Sequence, residues 1–341
     1  MTAIPDTMRA GVLTAVRTIE LKERPVPTVR PDEVLVRVAA VGVCGSDVHY
    51  YQEGRIGLHI VDQPLVLGHE LSGRIVAVGE EVPDARVGER VAVEPQRPCR
   101  VCPQCKSGSY NLCPHMEFYG TPPVDGAFCD YVTIPADFAH PVPDSVSDEA
   151  AALMEPLSVA IWAARKAGIE PGSRVLITGS GPIGVVTVQT ALAFGAAEVI
   201  VSDPAPERRE WARRFGATTV DPARESLAGL DVDACIDASG AAPAIRSGIE
   251  AIRPGGTLVL VGTGVDEITL PLPVLQNREL NVTGVYRYRD TWPTAVHLVA
   301  SGKVDLDSLV TGRFPLQAAE DALRSGETPE SLKSVVQLSQ D

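Results

Sequence analysis

Three closely spaced glycines follow an apolar segment in the stretch Arg174-Val175-Leu176-Ile177-Thr178-Gly179-Ser180-Gly181-Pro182-Ile183-Gly184. Gly179 permits a tight turn, Gly181 lets the backbone approach a pyrophosphate, and Gly184 allows a helix to pack closely on a strand. The apolar helix that follows would direct its unpaired N–H groups and its positive dipole end at the phosphates. Glycines alone are weak evidence, but a strand before them and a helix after them predict a dinucleotide-binding site.

Strands and helices alternate regularly from about residue 150 onward. The predicted strands are 174–178, 199–202, 234–238 and 257–261, and the predicted helices are 150–166, 184–194, 206–215 and 244–252. Such alternation is typical of βαβ units, whose strands form a parallel sheet covered by helices. We therefore predict an α/β domain with a doubly wound parallel sheet over residues 153–285.

The first 150 residues have a different pattern, with short β-branched runs bounded by Gly, Pro or Asp. They predict strands at 34–41, 71–78 and 90–93. After Gly284 the pattern becomes irregular again, and a helix over 295–301 and a strand over 334–338 are expected to rejoin the first domain. The sequence thus predicts a β-rich domain at 1–152, completed by 286–341, with the doubly wound domain inserted between.

Asp203 ends the second predicted strand of that domain, nineteen residues after Gly184. A carboxylate at this position hydrogen-bonds the ribose hydroxyls of adenosine and repels a 2′-phosphate. Arg208 and Arg209 follow, and arginines near this position can instead accept the phosphate. Both also fit the polar face of an amphipathic helix, so we predict NAD rather than NADP as the cofactor.

A thiolate, an imidazole and a carboxylate come together at Cys44, His69 and Glu70, in the segments Gly42-Val43-Cys44-Gly45-Ser46-Asp47-Val48-His49 and Gly68-His69-Glu70. No fourth protein ligand adjoins them in the sequence, as expected of a catalytic zinc that keeps one position open. Zinc acts as a Lewis acid on an alcohol oxygen, and the alkoxide then passes hydride to a nicotinamide. An open zinc site and a nicotinamide site in one chain predict hydride transfer to or from an alcohol.

Ser46 and His49 lie two and five residues after Cys44. This spacing suits a relay that carries the alcohol proton from a hydroxyl to an imidazole and on to solvent. A serine or a histidine in a turn is commonly just solvated, but the neighbouring zinc cysteine favours the relay.

Four of the seven cysteines are crowded together as Cys99, Cys102, Cys105 and Cys113. Four thiolates at these spacings can close a tetrahedral zinc site that excludes water. Disulfides are the alternative, but a reducing cytoplasm disfavours them, and iron–sulfur clusters have other usual spacings. We predict a structural zinc that fixes a loop.

The composition excludes several classes of partner. A net charge of −14 argues against nucleic acid and anionic membrane surfaces, which require basic patches. No apolar run approaches the ~20 residues of a membrane span, and the first thirty residues have no apolar core of a signal peptide. We expect a soluble cytoplasmic protein.

A run in this sequence resembles the zinc signature of medium-chain alcohol dehydrogenases. It is Gly68-His69-Glu70-Leu71-Ser72-Gly73, with Gly79 and Val82 following. The chain resembles the sorbitol (polyol) dehydrogenase branch of this family more closely. Its likeness lies in Cys44-Gly45-Ser46-Asp47-Val48-His49-Tyr50, Gly54-Arg55-Ile56-Gly57, Glu155-Pro156-Leu157-Ser158-Val159, Tyr286-Arg287-Tyr288 and Thr291-Trp292-Pro293. The resemblance covers essentially the whole chain. It implies a GroES-like β-rich catalytic domain, a Rossmann cofactor domain and a homotetramer.

Carried over by position, the resemblance makes Cys44, His69, Glu70 and Glu155 zinc-associated. It leaves open which of the two glutamates binds zinc directly. Tyr50, Glu155, Arg287 and Tyr288 would face the polyol, and Phe118 and Thr121 would line the cleft. The implied cofactor-binding set is Gly179, Gly181, Pro182, Ile183, Gly184, Asp203, Arg208, Val261, Gly262, Thr263, Val285, Tyr286 and Arg287.

The function predicted from the sequence is therefore a zinc-dependent, NAD-linked oxidation of a polyol such as sorbitol or xylitol to a ketose, with the reverse reduction. A first rival is the same chemistry on threonine, butanediol or a simple secondary alcohol, but donor-rich walls favour polyols. A second rival is a non-catalytic protein of the same fold, and a third is a zinc-free quinone reductase. The intact Cys44 and His69 disfavour both.

Overall fold

The structure is a computed structural model that describes residues 4–264, 267–328 and 330–338. The chain forms two compact units. The described residues of Met1–Glu155, Trp292–Ala300 and Leu306–Asp341 form the first unit, and those of Pro156–Thr291 and Ser301–Asp305 form the second.

The elements of the first unit up to residue 152 are, in chain order, β1 (Thr7–Ala15), β2 (Thr18–Pro25), β3 (Glu33–Gly42), α1 (Gly45–Glu53), β4 (Arg55–Ile56), β5 (His59–Ile60), β6 (Leu65–Val66), β7 (Glu70–Val78), β8 (Arg90–Val93), β9 (Gln96–Arg97), α2 (Pro103–Lys106), β10 (Glu117–Phe118), β11 (Tyr131–Pro135), β12 (Ala139–Pro141) and α3 (Asp148–Ala152). Short 3-10 turns lie at Asp84–Arg86, Tyr110–Leu112 and Ala136–Phe138.

Helix α4 (Met154–Ala167) leads into the second unit. That unit continues with β13 (Arg174–Thr178), α5 (Pro182–Ala193), β14 (Glu198–Ser202), α6 (Pro206–Arg214), β15 (Thr218–Val220), β16 (Val232–Asp237), α7 (Ala242–Ala251), β17 (Ile252–Leu260), α8 (Leu272–Asn277) and β18 (Asn281–Gly284). The segments that return to the first unit contain α9 (Trp292–Ala300), β19 (Val310–Pro315), α10 (Ala319–Arg324) and β20 (Lys333–Gln337), with 3-10 turns at Asp307–Leu309, Leu316–Ala318 and Ser325–Glu327.

Strand β3 is the centre of the main sheet of the first unit. It pairs with β7 along one edge, and with β11 and then β20 along the other. The strand order is β12-β8-β7-β3-β20-β19, with β11 beside β3. In this register Gly42 lies opposite both Glu70 and Val335. The end of β3 therefore meets the start of β7 and of β20, which are far apart in sequence.

The sheet of the second unit is parallel and runs β15-β14-β13-β16-β17-β18 within the described residues. Chain order reverses between β13 and β16, which is the switch point where doubly wound sheets bind ligands. Alternate residues of β13 enter two apolar clusters, since Val175 and Ile177 pack in one and Leu176 in the other. Both faces of the strand are thus covered, as its continuous apolar run predicts. The predicted fold class is confirmed.

The helix predicted over 150–166 is instead two helices, α3 and α4, separated at Leu153. The reason lies in Pro156, which has no N–H to donate to the carbonyl of Ala152 and so prevents one continuous helix. The sequence contained this signal.

The chain returns to the first unit at Trp292 rather than at the predicted residue 286, and residues 301–305 also belong to the second unit. Trp292 is fully buried and its ring stacks on His140, with centroids 5.2 Å apart. A large buried aromatic ring fixes where the chain returns. The final residues of the predicted segment, 339–341, lie outside the described residues, as do 1–3 of the predicted first domain. No helix in the described ranges combines the length and the apolar character that crossing a membrane needs.

Candidate active site and metal centres

Cys44 lies between the end of β3 and the start of α1, at the N-cap position of that helix. Its N–H donates to the Oδ2 atom of Asp47 at 3.0 Å. Helix starts leave backbone N–H groups without partners inside the helix, and a side-chain carboxylate satisfies one of them. The turn that presents the Cys44 thiol is thereby fixed.

Asp47 is fully buried and connects Cys44 to His69. Its Oδ1 atom accepts a hydrogen bond from the Gly68 N–H at 2.9 Å and lies 3.5 Å from His69 Nδ1. A carboxylate at one ring nitrogen orients the imidazole and leaves the other nitrogen for a metal. We predicted no role for Asp47, although a carboxylate three residues after an N-cap residue is a recognisable signal.

The charges around His69 fit a metal ligand. Burial alone would lower the pKa of His69, but Asp47 and Cys44 outweigh burial and raise that pKa well above its usual value. Burial likewise opposes ionisation of Asp47, yet His69 and the N–H groups of Cys44 and Gly68 hold the pKa of Asp47 below its usual value. A metal requires the neutral imidazole, so metal loading would release a proton here.

Glu70 is the first residue of β7 and is fully buried. Its Oε1 atom accepts a hydrogen bond from Lys333 Nζ at 2.6 Å, and Lys333 Nζ also donates to the Val43 carbonyl at 2.8 Å. The Oε2 atom is buried and has no hydrogen-bond partner among the described residues. A Cβ at Gly42 would lie 2.1 Å from this oxygen, so only glycine leaves room for the carboxylate.

Lys333 is a buried cation that no sequence pattern predicted. It begins β20 and is separated from Glu70 by 263 residues, yet the register of β20 on β3 brings them together. Burial alone would lower the pKa of Lys333, but Glu70, Cys44 and Glu155 outweigh burial and raise it. Lys333 therefore remains charged and compensates part of the negative charge of the site.

One ligand atom from each of Cys44, His69 and Glu70 lies within 4.8 Å of the others. Sulfur, nitrogen and oxygen donors at this separation suit zinc, and the unpartnered buried oxygen of Glu70 lacks the partner that a metal would supply. Glu155 is buried but is not a member of this group. Among the described residues, the geometry favours Glu70 over Glu155 as the third ligand.

The predicted relay residues lie on α1. Ser46 is partly buried and His49 is exposed. The Nδ1 atom of His49 lies 3.6 Å from the Glu53 carboxylate. Proton transfer from Ser46 to His49 remains a prediction.

The second group comprises Cys99, Cys102, Cys105 and Cys113, whose sulfur atoms all lie within 4.8 Å of one another. Backbone N–H groups donate to three of these sulfurs at 3.3–3.4 Å, and none of the seven cysteines, all described, is in a disulfide. Backbone N–H groups of Val101 and Cys102 lower the pKa of Cys99 to about 6. This arrangement forms a four-cysteine structural zinc site.

The glycine turn after β13 has the geometry that the fingerprint predicts. Gly179 has φ +92°, and a Cβ there would lie 2.9 Å from the Ser239 Cβ. A Cβ at Gly184 would lie 2.0 Å from the Gly179 carbonyl oxygen, whereas one at Gly181 would meet no heavy atom within 4 Å. Gly181 is the N-cap of α5 and Pro182 its first residue, so the N-terminus of the helix is open to a phosphate.

Asp203 follows β14 and is buried. Its two carboxylate oxygens accept hydrogen bonds from Ser180 N–H at 2.8 Å and Ala205 N–H at 2.9 Å. Arg209 donates to the carbonyls of Asp203 and Pro204, whereas the buried Nη1 atom of Arg208 has no hydrogen-bond partner within the described ranges.

Asp237 ends β16 and connects three chain segments, which lie at the ends of β13, β16 and β17. Its carboxylate accepts hydrogen bonds from Thr178 Oγ1 at 2.7 Å, Ser239 Oγ at 2.6 Å and Gly240 N–H at 2.9 Å. Its carbonyl accepts from the N–H groups of Val261 and Gly262 at 2.9 Å, and both residues belong to the predicted cofactor-binding set. We predicted no role for Asp237; a buried strand that ends in Asp-x-Ser-Gly was the signal.

The remaining predicted residues lie in both units. In the first unit Tyr50 is buried and Phe118 packs on His69, with ring centroids 5.4 Å apart. In the second unit Val285 N–H donates to the Leu260 carbonyl at 2.9 Å. Beyond it, Arg287 has φ +54° and its guanidinium lies over the exposed Tyr286 ring, and Tyr288 is buried. Thr121 and Thr263 lie in loops after β10 and β17.

The fold and the two cysteine-containing sites define a zinc-binding dehydrogenase with a nicotinamide cofactor. Two family models match the chain, the alcohol dehydrogenase GroES-like domain at residues 30–144 and the zinc-binding dehydrogenase domain at 182–301. The chain belongs to the zinc-binding medium-chain dehydrogenase family.

Individual proteins are similar to this chain over nearly its whole length. Sorbitol dehydrogenase of Bacillus subtilis is 44% identical over 330 residues, with 94% of each chain covered. D-xylulose reductase A of Aspergillus oryzae is 41% identical over 353 residues, covering 98% of this chain and 99% of the relative. Among solved structures, L-idonate 5-dehydrogenase of Escherichia coli has a TM-score of 0.92 at 31% identity, covering 97% of this chain and 98% of that one. These three relatives are named for a polyol, a ketose and a sugar acid.

Proposed function

We propose that this protein is an NAD-linked, zinc-dependent polyol dehydrogenase, which oxidises a secondary alcohol of sorbitol, xylitol or a similar polyol to a ketose and catalyses the reverse reduction. The observation that carries the proposal is the group Cys44, His69 and Glu70, whose ligand atoms lie within 4.8 Å of one another. The similarity to a sorbitol dehydrogenase and a D-xylulose reductase supports the class of substrate.

Cys44, His69 and Glu70 would hold the catalytic zinc. When bound, zinc supplies a Lewis acid that makes the substrate hydroxyl more acidic, and NAD supplies the hydride acceptor. Asp47 orients His69 through Nδ1, and Lys333 restrains Glu70 through Oε1. These contacts hold the ligands in place before substrate arrives, which limits the reorganisation needed during the reaction.

Ser46 and His49 would move the proton that the alcohol releases. Ser46 Oγ would accept it and pass it to the His49 ring, which is exposed and delivers it to water. The Glu53 carboxylate lies 3.6 Å from His49 Nδ1, beside the proposed exit of the proton.

The crevice at the ends of β13, β16 and β17 would bind NAD. Gly181 and the N-terminus of α5 would receive the pyrophosphate, and the buried carboxylate of Asp203 would accept hydrogen bonds from the adenosine ribose. A negative charge at this position disfavours a 2′-phosphate. NAD is therefore the proposed cofactor.

Polar groups support a polyhydroxylated substrate. Tyr50, Glu155, Arg287 and Tyr288 carry donors and acceptors that would pair with several hydroxyls. A site rich in such groups would favour a substrate that carries several hydroxyls. A simple secondary alcohol would accordingly be a poor substrate.

The test is the initial rate of NADH formation with sorbitol, xylitol, ribitol, galactitol, arabitol, threonine, 2,3-butanediol and 2-propanol, repeated with NADP. Selective turnover of one or two polyols with NAD is the expected result. Turnover confined to threonine, butanediol or 2-propanol would contradict the polyol site while keeping the zinc chemistry. No turnover with any alcohol by zinc-loaded protein would contradict the proposed function.

A further inference from the structure

Lys333 is a charged side chain that hydrogen-bonds a proposed zinc ligand, Glu70. It lies far in the sequence from the turns that carry the ligands. Its Nζ atom lies 2.6 Å from Glu70 Oε1, and the side chains are 4% and 1% exposed. A second bond, to the Val43 carbonyl at 2.8 Å, fixes the ammonium from the side of β3. The contact is therefore a restrained, buried ion pair.

The pair treats the two oxygens of Glu70 differently. Lys333 occupies Oε1, while Oε2 is buried and has no hydrogen-bond partner in the part of the chain that the structure describes. On its other side the carboxylate lies against Gly42, since a Cβ there would be 2.1 Å from Oε2. Glu70 thus has one oxygen bound within the protein and one oxygen left for another partner.

The number of oxygens that a carboxylate offers decides how many positions remain on a metal. If Glu70 binds through one oxygen, Cys44, His69 and Glu70 together supply three ligand atoms. The fourth position of a tetrahedral zinc then stays open. A Glu70 that binds through both oxygens would fill that position. A catalytic zinc needs it for substrate.

We propose that Lys333 is a positioning residue that restricts Glu70 to one-oxygen ligation and so keeps a coordination position open. The inference rests on the proposed function, since it assumes that Cys44, His69 and Glu70 bind the catalytic metal. Strand β20 would thus have a role in the metal site, because its first residue places an ammonium group beside a ligand 263 residues earlier in the chain.

The experiment replaces the catalytic zinc by Co(II), whose visible absorption reports coordination number, and compares Lys333→Met with the unaltered protein. We expect the unaltered protein to show the intense bands of a four-coordinate ion. Lys333→Met should retain the metal but show weaker, shifted bands as Glu70 binds through both oxygens. Its kcat should fall on the order of 10–100-fold, as is usual when a partner of a metal ligand is removed.

Three variants control this comparison. Lys333→Arg keeps a cationic donor and should restore the four-coordinate spectrum. Lys22→Met removes an exposed lysine paired with Glu20 at 3.2 Å and should change nothing. Glu70→Gln offers a single carbonyl oxygen, so adding Lys333→Met to it should leave the Co(II) spectrum unchanged.

The outcomes separate the two proposals. An unchanged Co(II) spectrum in folded Lys333→Met, or loss of the metal from it, would overturn the role of Lys333 while leaving the proposed function intact. If Cys44→Ser gave the same Co(II) spectrum as the unaltered protein, the catalytic metal site would be wrong, and the proposed function with it.

Discussion

Gly42 illustrates how a residue without a side chain shapes this site. It lies opposite Glu70 in the register of β3 and β7. A Cβ at this position would lie 2.1 Å from Glu70 Oε2 and 2.9 Å from Leu153 Cδ2. Neither atom can move easily, since Glu70 is held by Lys333 and Leu153 is buried. The strand therefore requires glycine where a β-branched residue would otherwise be favoured.

Gly42→Ala should displace the Glu70 carboxylate and weaken the catalytic metal site. We expect catalytic zinc content and turnover to fall together, and overpacking of this kind costs about 1–3 kcal/mol of stability. Gly45→Ala is the matched control, because a Cβ there would meet no heavy atom within 4 Å. Metal analysis and urea unfolding of both variants provide the measurement. Normal zinc content in Gly42→Ala would show that Glu70 is not a ligand.

Arg208 and Asp203 decide the expected cofactor preference. Asp203→Ala removes the charge that repels a 2′-phosphate, so the ratio of kcat/KM for NADP to that for NAD should rise. The Arg208 guanidinium, whose Nη1 atom has no hydrogen-bond partner among the residues described, would then bind the phosphate. Adding Arg208→Ala should abolish the gain. A ratio that does not change in Asp203→Ala would remove Asp203 from the ribose site.

At the scale of the element, local and distant constraints differ in how far a sequence reveals them. Strand β13 has the predicted bounds, 174–178, because an apolar run before a glycine turn is a local signal. Asp47 also lies within a local motif. Lys333 and Glu70 depend instead on a strand register that joins residues 263 positions apart. No periodicity of β20 reports that its first residue is buried against a carboxylate.

Asp237 acts at the same scale, because it holds together the ends of β13, β16 and β17. Asp237→Asn would keep the shape but present an NH2 group where Gly240 N–H now donates at 2.9 Å. A lost hydrogen bond to a charged group costs about 1.5–3 kcal/mol. We expect lower stability in urea and weaker NADH binding in fluorescence titrations, with Asp231→Asn, at an exposed position, as the control. Unchanged NADH affinity in Asp237→Asn would contradict its role in the crevice.

At the scale of the whole molecule, the sequence predicted the two architectures but not the point at which the chain leaves the second. The alternation of strands and helices identifies the parallel sheet, since each βαβ unit repeats the same local pattern. The return at Trp292 depends on the stacking of its ring on His140, a contact between residues 152 positions apart. Packing of this kind has no local signature in the sequence.

The metal groups and the dinucleotide crevice use residues of different units, which predicts that they can be lost separately. Both metal groups lie in the first unit and the glycine turn in the second. The unaltered protein should contain about two zinc ions per chain. Cys44→Ser should retain about one, in the four-cysteine group. Its turnover should fall about 10³-fold or more, because Lewis-acid stabilisation contributes several kcal/mol. NADH binding should persist, because the contacts described for the turn at Gly179 and for the Asp237 carboxylate come from residues of the second unit. Two zinc ions in Cys44→Ser, or loss of NADH binding with the fold intact, would show that the metal site and the crevice are not built independently.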